Sequence, residues 1–142
     1  NNAIIEQIIN SETETVAVHI HKPTSPQNTC TTDYYNWAIA NIRTYIPDAR
    51  FFVFTDEAEL VKDRLLLPEN SVFVNTKHLS DYELLQTLLR ASHNIAANTL
   101  TSWWAAWLNP NPDKITIVPK KWSNGENPKH LIPIYWTAIP TT

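Results

Sequence analysis

Small polar side chains are concentrated where a predicted strand runs into a predicted helix. They follow the apolar stretch NIAA and open a tryptophan-rich segment: Asn98, Thr99, Thr101 and Ser102. The first N–H groups of a helix have no acceptor within the helix, and hydroxyl groups beside them add donors. Such a junction is therefore suited to bind an anion. The alternative is that Thr99 or Thr101 only caps the helix, which is the commoner role in an isolated segment.

Candidate residues also stand at the ends of two other predicted strands. The first strand (TVAVHI) contains or precedes three basic side chains: His19, His21 and Lys22. Asp56 directly follows the second strand, RFFVFT. The carboxyl ends of parallel strands meet at one edge of a sheet, and ligands bind in the crevice outside that edge. We therefore expect these residues and the junction at Asn98 to line one edge of a sheet.

Two hydrophobic patterns alternate along the chain and would position these residues. Apolar or β-branched runs predict strands at 15–20, 50–55, 71–75, 94–97 and 114–118. Apolar residues at helical spacing predict helices at about 4–9, 34–46, 56–65, 81–89 and 99–108. Asp33 is expected to cap the second helix, and Ser80 with Glu83 forms a capping box at the fourth.

The order of these elements predicts the fold class. Strands that alternate with helices of about ten residues indicate β-α-β units, and continuous apolar strands indicate a parallel sheet buried on both faces. We expect an α/β, Rossmann-like three-layer sandwich with a mainly parallel sheet, in a single domain over residues 1–142. The proline-rich tail from about 119 to 142 is expected to wrap the surface. The clustered tryptophans Trp103, Trp104 and Trp107 are expected to pack in the core.

Composition excludes several classes of protein. The 142 residues have a net charge of -3 with scattered Lys and Arg, whereas non-specific nucleic-acid binding needs a basic face. A single glycine leaves no glycine-rich phosphate loop, and the single cysteine, Cys30, leaves no internal disulfide or cysteine-based zinc site. His19 and His21 make a poor metal pair, so we expect no metal site. The chain has no methionine, from which we expect that it was processed, trimmed or cut from a longer chain.

Long stretches of the sequence resemble one known family. HNIAANTLTSWWAAWLNPNPDKITIVPKKW resembles the C-terminal signature of bacterial α-1,2-fucosyltransferases, glycosyltransferase family 11. TCTTDYYNWAIANIRTYIPDARFFVFTDE resembles the family's Tyr-Tyr helix and the strand that follows it, and VAVHI fits the family's first motif. The resemblance runs from about Thr15 to Trp136. It implies the donor-binding half of a GT-B enzyme that transfers L-fucose from GDP-fucose to a glycan hydroxyl, with inversion and with no metal or other cofactor.

The resemblance also implies roles for individual residues. Asp56 would accept hydrogen bonds from N1–H and the 2-amino group of guanine, which donate side by side; its alternative role is a helix N-cap. The junction residues would hold the diphosphate: Asn98, Thr99, Thr101 and Ser102. His93 and Asn94 match the family as well, but they precede the predicted strand, and we interpret them as structural.

The first motif departs from the family pattern H-x-R-R-G-D-Y. His19 is kept, but His21 and Lys22 replace the two arginines and Thr24 replaces the aspartate. Arginine binds phosphate bidentately and stays charged, whereas an unperturbed histidine, with a pKa of about 6.5, is mostly neutral at pH 7. The candidate catalytic residues are therefore His19, His21 and Lys22. The loss of one aimed donor would cost roughly two to three powers of ten in rate.

Two functions remain open at this point. The first is a fucosyltransferase of bacterial surface-polysaccharide synthesis, or its donor half, with a nucleotide-sugar donor, a glycan acceptor and a missing N-terminal half as partners. This chain alone is expected to be inactive. The second is a catalytically degenerate module that binds a nucleotide, a glycan or a partner protein. The exposed cleft face of an isolated half predicts a homodimer. We expect a bacterial cytoplasmic location, with peripheral membrane association left open.

Overall fold

The computed structural model describes residues 2–21, 30–119 and 136–139 of the chain. The described helices are α1 (Asn2–Ile9), α2 (Thr32–Tyr45), α3 (Ala58–Val61), α4 (Asp81–Leu88) and α5 (Leu100–Leu108). The described strands are β1 (Thr15–Ile20), β2 (Arg50–Thr55), β3 (Val72–Asn75), β4 (His93–Ile95), β5 (Thr116–Pro119) and β6 (Thr137–Ile139).

The strands form one parallel sheet with the order β3-β2-β1-β4-β5-β6. The chain moves outward from β1 through β2 to β3 and then returns to the other side of β1 with β4. The order of the strands therefore reverses between β1 and β4, whose register pairs Val16 with His93 and Val18 with Ile95. This arrangement confirms the predicted Rossmann-like α/β fold, in which ligands bind where the strand order reverses.

Helices cover both faces of the sheet because the side chains of each strand alternate between the faces. On one face, α2 packs against Val16, Val18 and Phe51. On the other face, α1, α4 and α5 pack against Ala17 and Phe52. Both sides of the central strands are therefore dry, which explains why β1 and β2 read as continuous apolar runs rather than as alternating ones.

The helix ends agree with the sequence in some places and correct it in others. Ser80 caps α4 and forms the predicted capping box with Glu83. The predicted cap of α2 at Asp33 is wrong: the hydroxyl of Thr31 accepts the Tyr34 N–H, and Asp33 lies within the first turn. The helix after β2 is shorter than the predicted 56–65, since only Ala58–Val61 is helical.

The sequence analysis missed the sixth strand. The short strand β6 pairs in parallel with β5 through Ile117 and Thr137, and both Trp136 and Ile139 are buried. This part of the predicted surface tail therefore belongs to the sheet, while residues 120–135 and 140–142 lie outside the described residues. Within the described part of the chain, none of the helices has the length and apolar character that crossing a membrane requires.

Candidate functional site

The carboxyl ends of β1 and β4 meet at the point where the strand order reverses. We call the space outside them the switch-point crevice; its borders are His19 and His21 on one side and Asn98 to Ser102 on the other. His19 is the fifth residue of β1, and the chain after β4 runs through Asn98 into α5. The predicted junction therefore faces the end of the strand that holds the first motif.

Two consecutive tyrosines of α2 donate hydrogen bonds to the backbone on the two sides of this crevice. The hydroxyl of Tyr35 donates to the carbonyl oxygen of His19 at 3.0 Å. The hydroxyl of Tyr34 donates to the carbonyl oxygen of Ala96 at 2.7 Å. Burial raises the pKa of both tyrosines well above its ordinary value, so both hydroxyls stay protonated and remain donors.

The N-terminus of α5 has the geometry of an anion site. Thr99 is the N-cap, and its hydroxyl oxygen accepts the Ser102 N–H at 3.2 Å. The N–H groups of Leu100 and Thr101 belong to the same first turn and have no acceptor within the helix. Leu100 is exposed and Thr101 is half-buried, so this turn lies at the surface of the domain. Their N–H groups and the helix dipole are available to an anion.

Ser102 is placed differently from the other junction residues. Its side chain is buried, and its Oγ forms a hydrogen bond with Nδ1 of His19. Because its N–H is bonded to Thr99, neither polar group of Ser102 faces the open crevice. Asn98 and Thr99 are half-buried at the mouth of the crevice. The four junction residues lie together in the structure, but the sequence could not tell that Ser102 turns inward.

The structure separates the three basic residues of the first motif. His19 is only 4% exposed, and burial together with the nearby His21 lowers its pKa from 6.5 to about 3. His19 is therefore neutral at physiological pH and brings no positive charge to a phosphate. His21 is exposed, with its ring centroid 5.9 Å from that of His19. Lys22 lies outside the described residues.

Asp56 lies at the same edge, directly after β2. Its Oδ1 atom is buried and has no hydrogen-bond partner among the described residues. The alternative role as a helix cap is not what the structure shows, since the N-cap of α3 is Glu57 and makes no side-chain cap bond. Burying a carboxylate oxygen without a hydrogen-bond donor costs free energy. An N–H group of a ligand would remove that cost by donating to Oδ1 of Asp56.

Cys30 lies beside the crevice and does not look reactive. Burial raises the pKa of its thiol to about 12, although hydrogen bonds with the Tyr35 side chain and the Asn98 backbone oppose the shift. A thiol with so high a pKa is a poor nucleophile. Among the described residues, no three His, Cys, Asp or Glu side chains come together as metal ligands would.

His93 and Asn94 lie at the opposite end of the sheet. They belong to β4 itself, which corrects their predicted place before the strand. Nδ1 of His93 accepts the Ile115 N–H at 2.7 Å, so its Nε2 carries the proton and donates to Glu14 at 2.9 Å. The Asn94 side-chain oxygen accepts from Asn109 at 2.7 Å. These bonds join strands and a helix end far from the crevice, which supports the structural interpretation.

The tryptophans of α5 are less buried than expected. Trp104 and Trp107 are 46% and 45% exposed, so the prediction that they pack fully in the core is wrong. Trp103 stacks on Trp107 with their ring centroids 5.5 Å apart and lies 5.9 Å from the ring of Trp136. The rings therefore cover the buried Trp136 beside β5 and β6 rather than fill the space between helix and sheet.

Comparison with known proteins places the chain in a family. The model of the family described as Glycosyl transferase family 11 matches residues 4–139. The O-antigen biosynthesis glycosyltransferase WbnK of Escherichia coli is 29% identical over 146 residues, which cover 96% of this chain and 48% of WbnK. The alpha-1,2-colitosyltransferase of Escherichia coli is 29% identical over 143 residues, which cover 89% of this chain and 48% of that protein.

The chain thus spans about half the length of these relatives. No solved structure matches it significantly. The family match covers both strands that border the crevice, the α5 junction and Asp56, and so it includes every described residue of the candidate site. The chain belongs to glycosyl transferase family 11 and has a Rossmann-like α/β fold.

Proposed function

We propose that this chain is the donor-binding half of an inverting fucosyltransferase and holds GDP-fucose in the switch-point crevice. The observation that supports this most directly is the buried Oδ1 of Asp56, which has no hydrogen-bond partner in the described part of the chain and lies at the same sheet edge as the N-terminus of α5. One end of a nucleoside diphosphate needs an acceptor for its base and the other needs donors for its phosphates. Asp56 supplies the acceptor, and the first turn of α5 supplies the donors.

The base end of this proposal rests on Asp56. Guanine presents N1–H and a 2-amino group on one edge, and a carboxylate accepts both at once. Adenine presents an acceptor nitrogen beside its amino group, so a carboxylate repels one of its two positions. A site whose buried acceptor is left unpaired by the wrong ligand discriminates strongly against that ligand.

The phosphate end rests on the first turn of α5. The ends of β2 and β4 lie on either side of β1, and adjacent strands are about 5 Å apart, so the two ends are about 10 Å apart. An extended nucleoside diphosphate spans such a distance. The N–H groups of Leu100 and Thr101 and the hydroxyl of Thr101 would bind the phosphates, and they would stabilise the charge that develops on the leaving GDP.

Titration calorimetry of the chain with GDP, ADP and UDP tests this proposal. We expect GDP to bind best and Asp56→Asn to weaken GDP binding about 10- to 100-fold, since a hydrogen bond to a charged group is worth about 1.5–3 kcal/mol. Asp48→Asn is a matched control, because Asp48 is exposed and precedes the other end of β2. Equal affinity for GDP and ADP, or an unchanged affinity after Asp56→Asn, would contradict the proposal.

The donor sugar needs its own measurement. One relative is named an alpha-1,2-colitosyltransferase, so a colitosyl donor is the nearest competitor of a fucosyl donor. Release of GDP from each donor compares them directly, when it is measured with a glycan acceptor in a protein that joins this half to an acceptor-binding half. Faster turnover of the colitosyl donor would leave the GDP site in place and change the proposed sugar.

A second candidate is a degenerate module that binds donor or glycan without transfer. Two features of the first motif favour it. His19 is buried, and the exposed His21 stands where the family pattern has arginine. His21→Arg separates the two candidates. In a protein that joins this half to an acceptor-binding half, an active transferase should release GDP faster after this change, by up to about two powers of ten. A degenerate module should release none from GDP-fucose before or after it.

A further inference from the structure

One hydrogen bond joins the end of β1 to the first turn of α5. Nδ1 of His19 and Oγ of Ser102 are its partners, 83 residues apart in the sequence. Both side chains are buried, with 4% and 2% of their surfaces exposed. The bond therefore links the two borders of the switch-point crevice directly, and water does not compete for it.

We propose that His19 is a positioning residue, which through Ser102 holds the first turn of α5 where its N–H groups reach a diphosphate. This inference rests on the proposed function, and it gives His19 a task different from contact with the ligand. The proton of the bond can lie on either atom, because positioning needs only that one of the two donates.

Several contacts support a positioning role over direct binding. Ser102 donates its N–H to the hydroxyl oxygen of Thr99, so both of its polar groups are bonded within the fold. The backbone of His19 is fixed as well, since its carbonyl oxygen accepts from Tyr35 at 3.0 Å. Because its ring and its backbone are both hydrogen-bonded, His19 fixes the position of α5 relative to β1.

The charge state of His19 points the same way. Burial lowers the pKa of its ring to about 3, and the nearby His21 adds to this effect. The ring is therefore neutral wherever the enzyme works. A neutral, buried ring can orient a hydroxyl group, but it cannot stabilise a phosphate by charge.

Calorimetric titration with GDP tests the positioning role. Ser102→Ala should weaken GDP binding by roughly three- to ten-fold, the range of one hydrogen bond. His19→Asn should keep most of the affinity, because the amide of asparagine takes the place of Nδ1. His19→Gln should lose as much as Ser102→Ala, because its amide takes the place of Nε2. The double variant His19→Gln with Ser102→Ala should be no weaker than either single variant.

Ser92→Ala is the matched control for general destabilisation. The Ser92 hydroxyl oxygen accepts the Thr15 N–H at 3.2 Å, which links the amino end of β1 to the residue before β4. This variant should lower the melting temperature about as much as Ser102→Ala does and leave GDP affinity unchanged. If both variants weaken GDP binding equally, the His19–Ser102 bond is only structural and the inference is wrong.

The pH profile separates positioning from charge. Wild type and His19→Asn should show GDP affinities that change in parallel between pH 5 and pH 8. A profile that flattens only in His19→Asn would show that the His19 ring binds the phosphate as a cation, against the inference. A wild-type chain that binds no GDP would contradict the proposed function as well, whereas GDP binding unaffected by Ser102→Ala would contradict the positioning role alone.

Discussion

The hydroxyl of Tyr35 donates a hydrogen bond of 3.0 Å to the carbonyl oxygen of His19, near the carboxyl end of β1 beside the crevice. Tyr34 does the same for Ala96, just past the end of β4. Strand ends have carbonyl groups that the sheet no longer pairs, and an unpaired buried carbonyl is costly. Neighbouring residues of one helix therefore fix both strand ends that border the site.

Removing either hydroxyl should destabilise the fold. Tyr35→Phe and Tyr34→Phe should each lower the free energy of unfolding by about 1–3 kcal/mol, because a buried carbonyl oxygen is left without its donor. Tyr45→Phe is the control, since Tyr45 is on the same helix and 71% exposed. Urea unfolding followed by circular dichroism measures all three. Losses no larger than that of Tyr45→Phe would mean that solvent replaces the tyrosine hydroxyls.

Local patterns predicted those parts of the fold that local interactions decide. The strands β1 and β2 were predicted with their exact bounds, because their β-branched and aromatic runs are long and continuous. The capping box of Ser80 and Glu83 was found because both partners lie within four residues. The cap of α2 was missed because Thr31 and Asp33 are both good capping residues, and only the path of the preceding chain selects between them.

Contacts between distant segments decided the rest. Nothing in the sequence near His19 indicates that its partner is Ser102, since the bond forms only once β1 and α5 pack together. The sixth strand has three residues, too few for a hydrophobic pattern, and it exists because β5 offers it an edge. The alternation of strands and helices predicted that the candidate residues lie at one edge of the sheet. It did not predict that the Ser102 side chain turns inward.

Asn109 should be the most sensitive polar residue at the amino end of the sheet. Its amide donates to the Asn94 side chain at 2.7 Å and to the Ala91 carbonyl at 2.8 Å, and it is 4% exposed. Asn109→Ala should cost about 2–4 kcal/mol of unfolding free energy, since two buried acceptors lose their donor. GDP affinity should stay unchanged because the network lies away from the crevice.

A helix asparagine without such bonds gives the comparison for Asn109. Asn41 lies in α2, and Asn41→Ala should not destabilise the chain, because alanine is the better helix former. Urea midpoints of both variants measure the difference. A similar loss in both would show that the buried network contributes nothing specific.

Stability should depend on pH through His19. Above the unfolded pKa of about 6.5 both states are neutral, and below it only the unfolded state takes up a proton until the folded pKa of about 3 is reached. Unfolding free energy should therefore fall with acid, by about 2 kcal/mol between pH 6.5 and pH 5. Urea unfolding of wild type and His19→Asn at both pH values isolates this contribution. An equal slope in the two proteins would mean that His19 titrates normally in the fold.

The thiol of Cys30 should report on opening of the crevice. It is the single cysteine of the chain, it is 7% exposed, and burial raises its pKa to about 12. A disulfide reagent such as DTNB at pH 8 should therefore modify the folded chain far more slowly than the chain in denaturant, because both access and thiolate are lacking. Tyr35→Phe should speed the reaction several-fold because it destabilises the fold and so raises the population of opened chains, in which the thiol is accessible, whereas Tyr45→Phe should not. Reaction of the folded wild type at the rate of the unfolded chain would show that this side of the crevice is open.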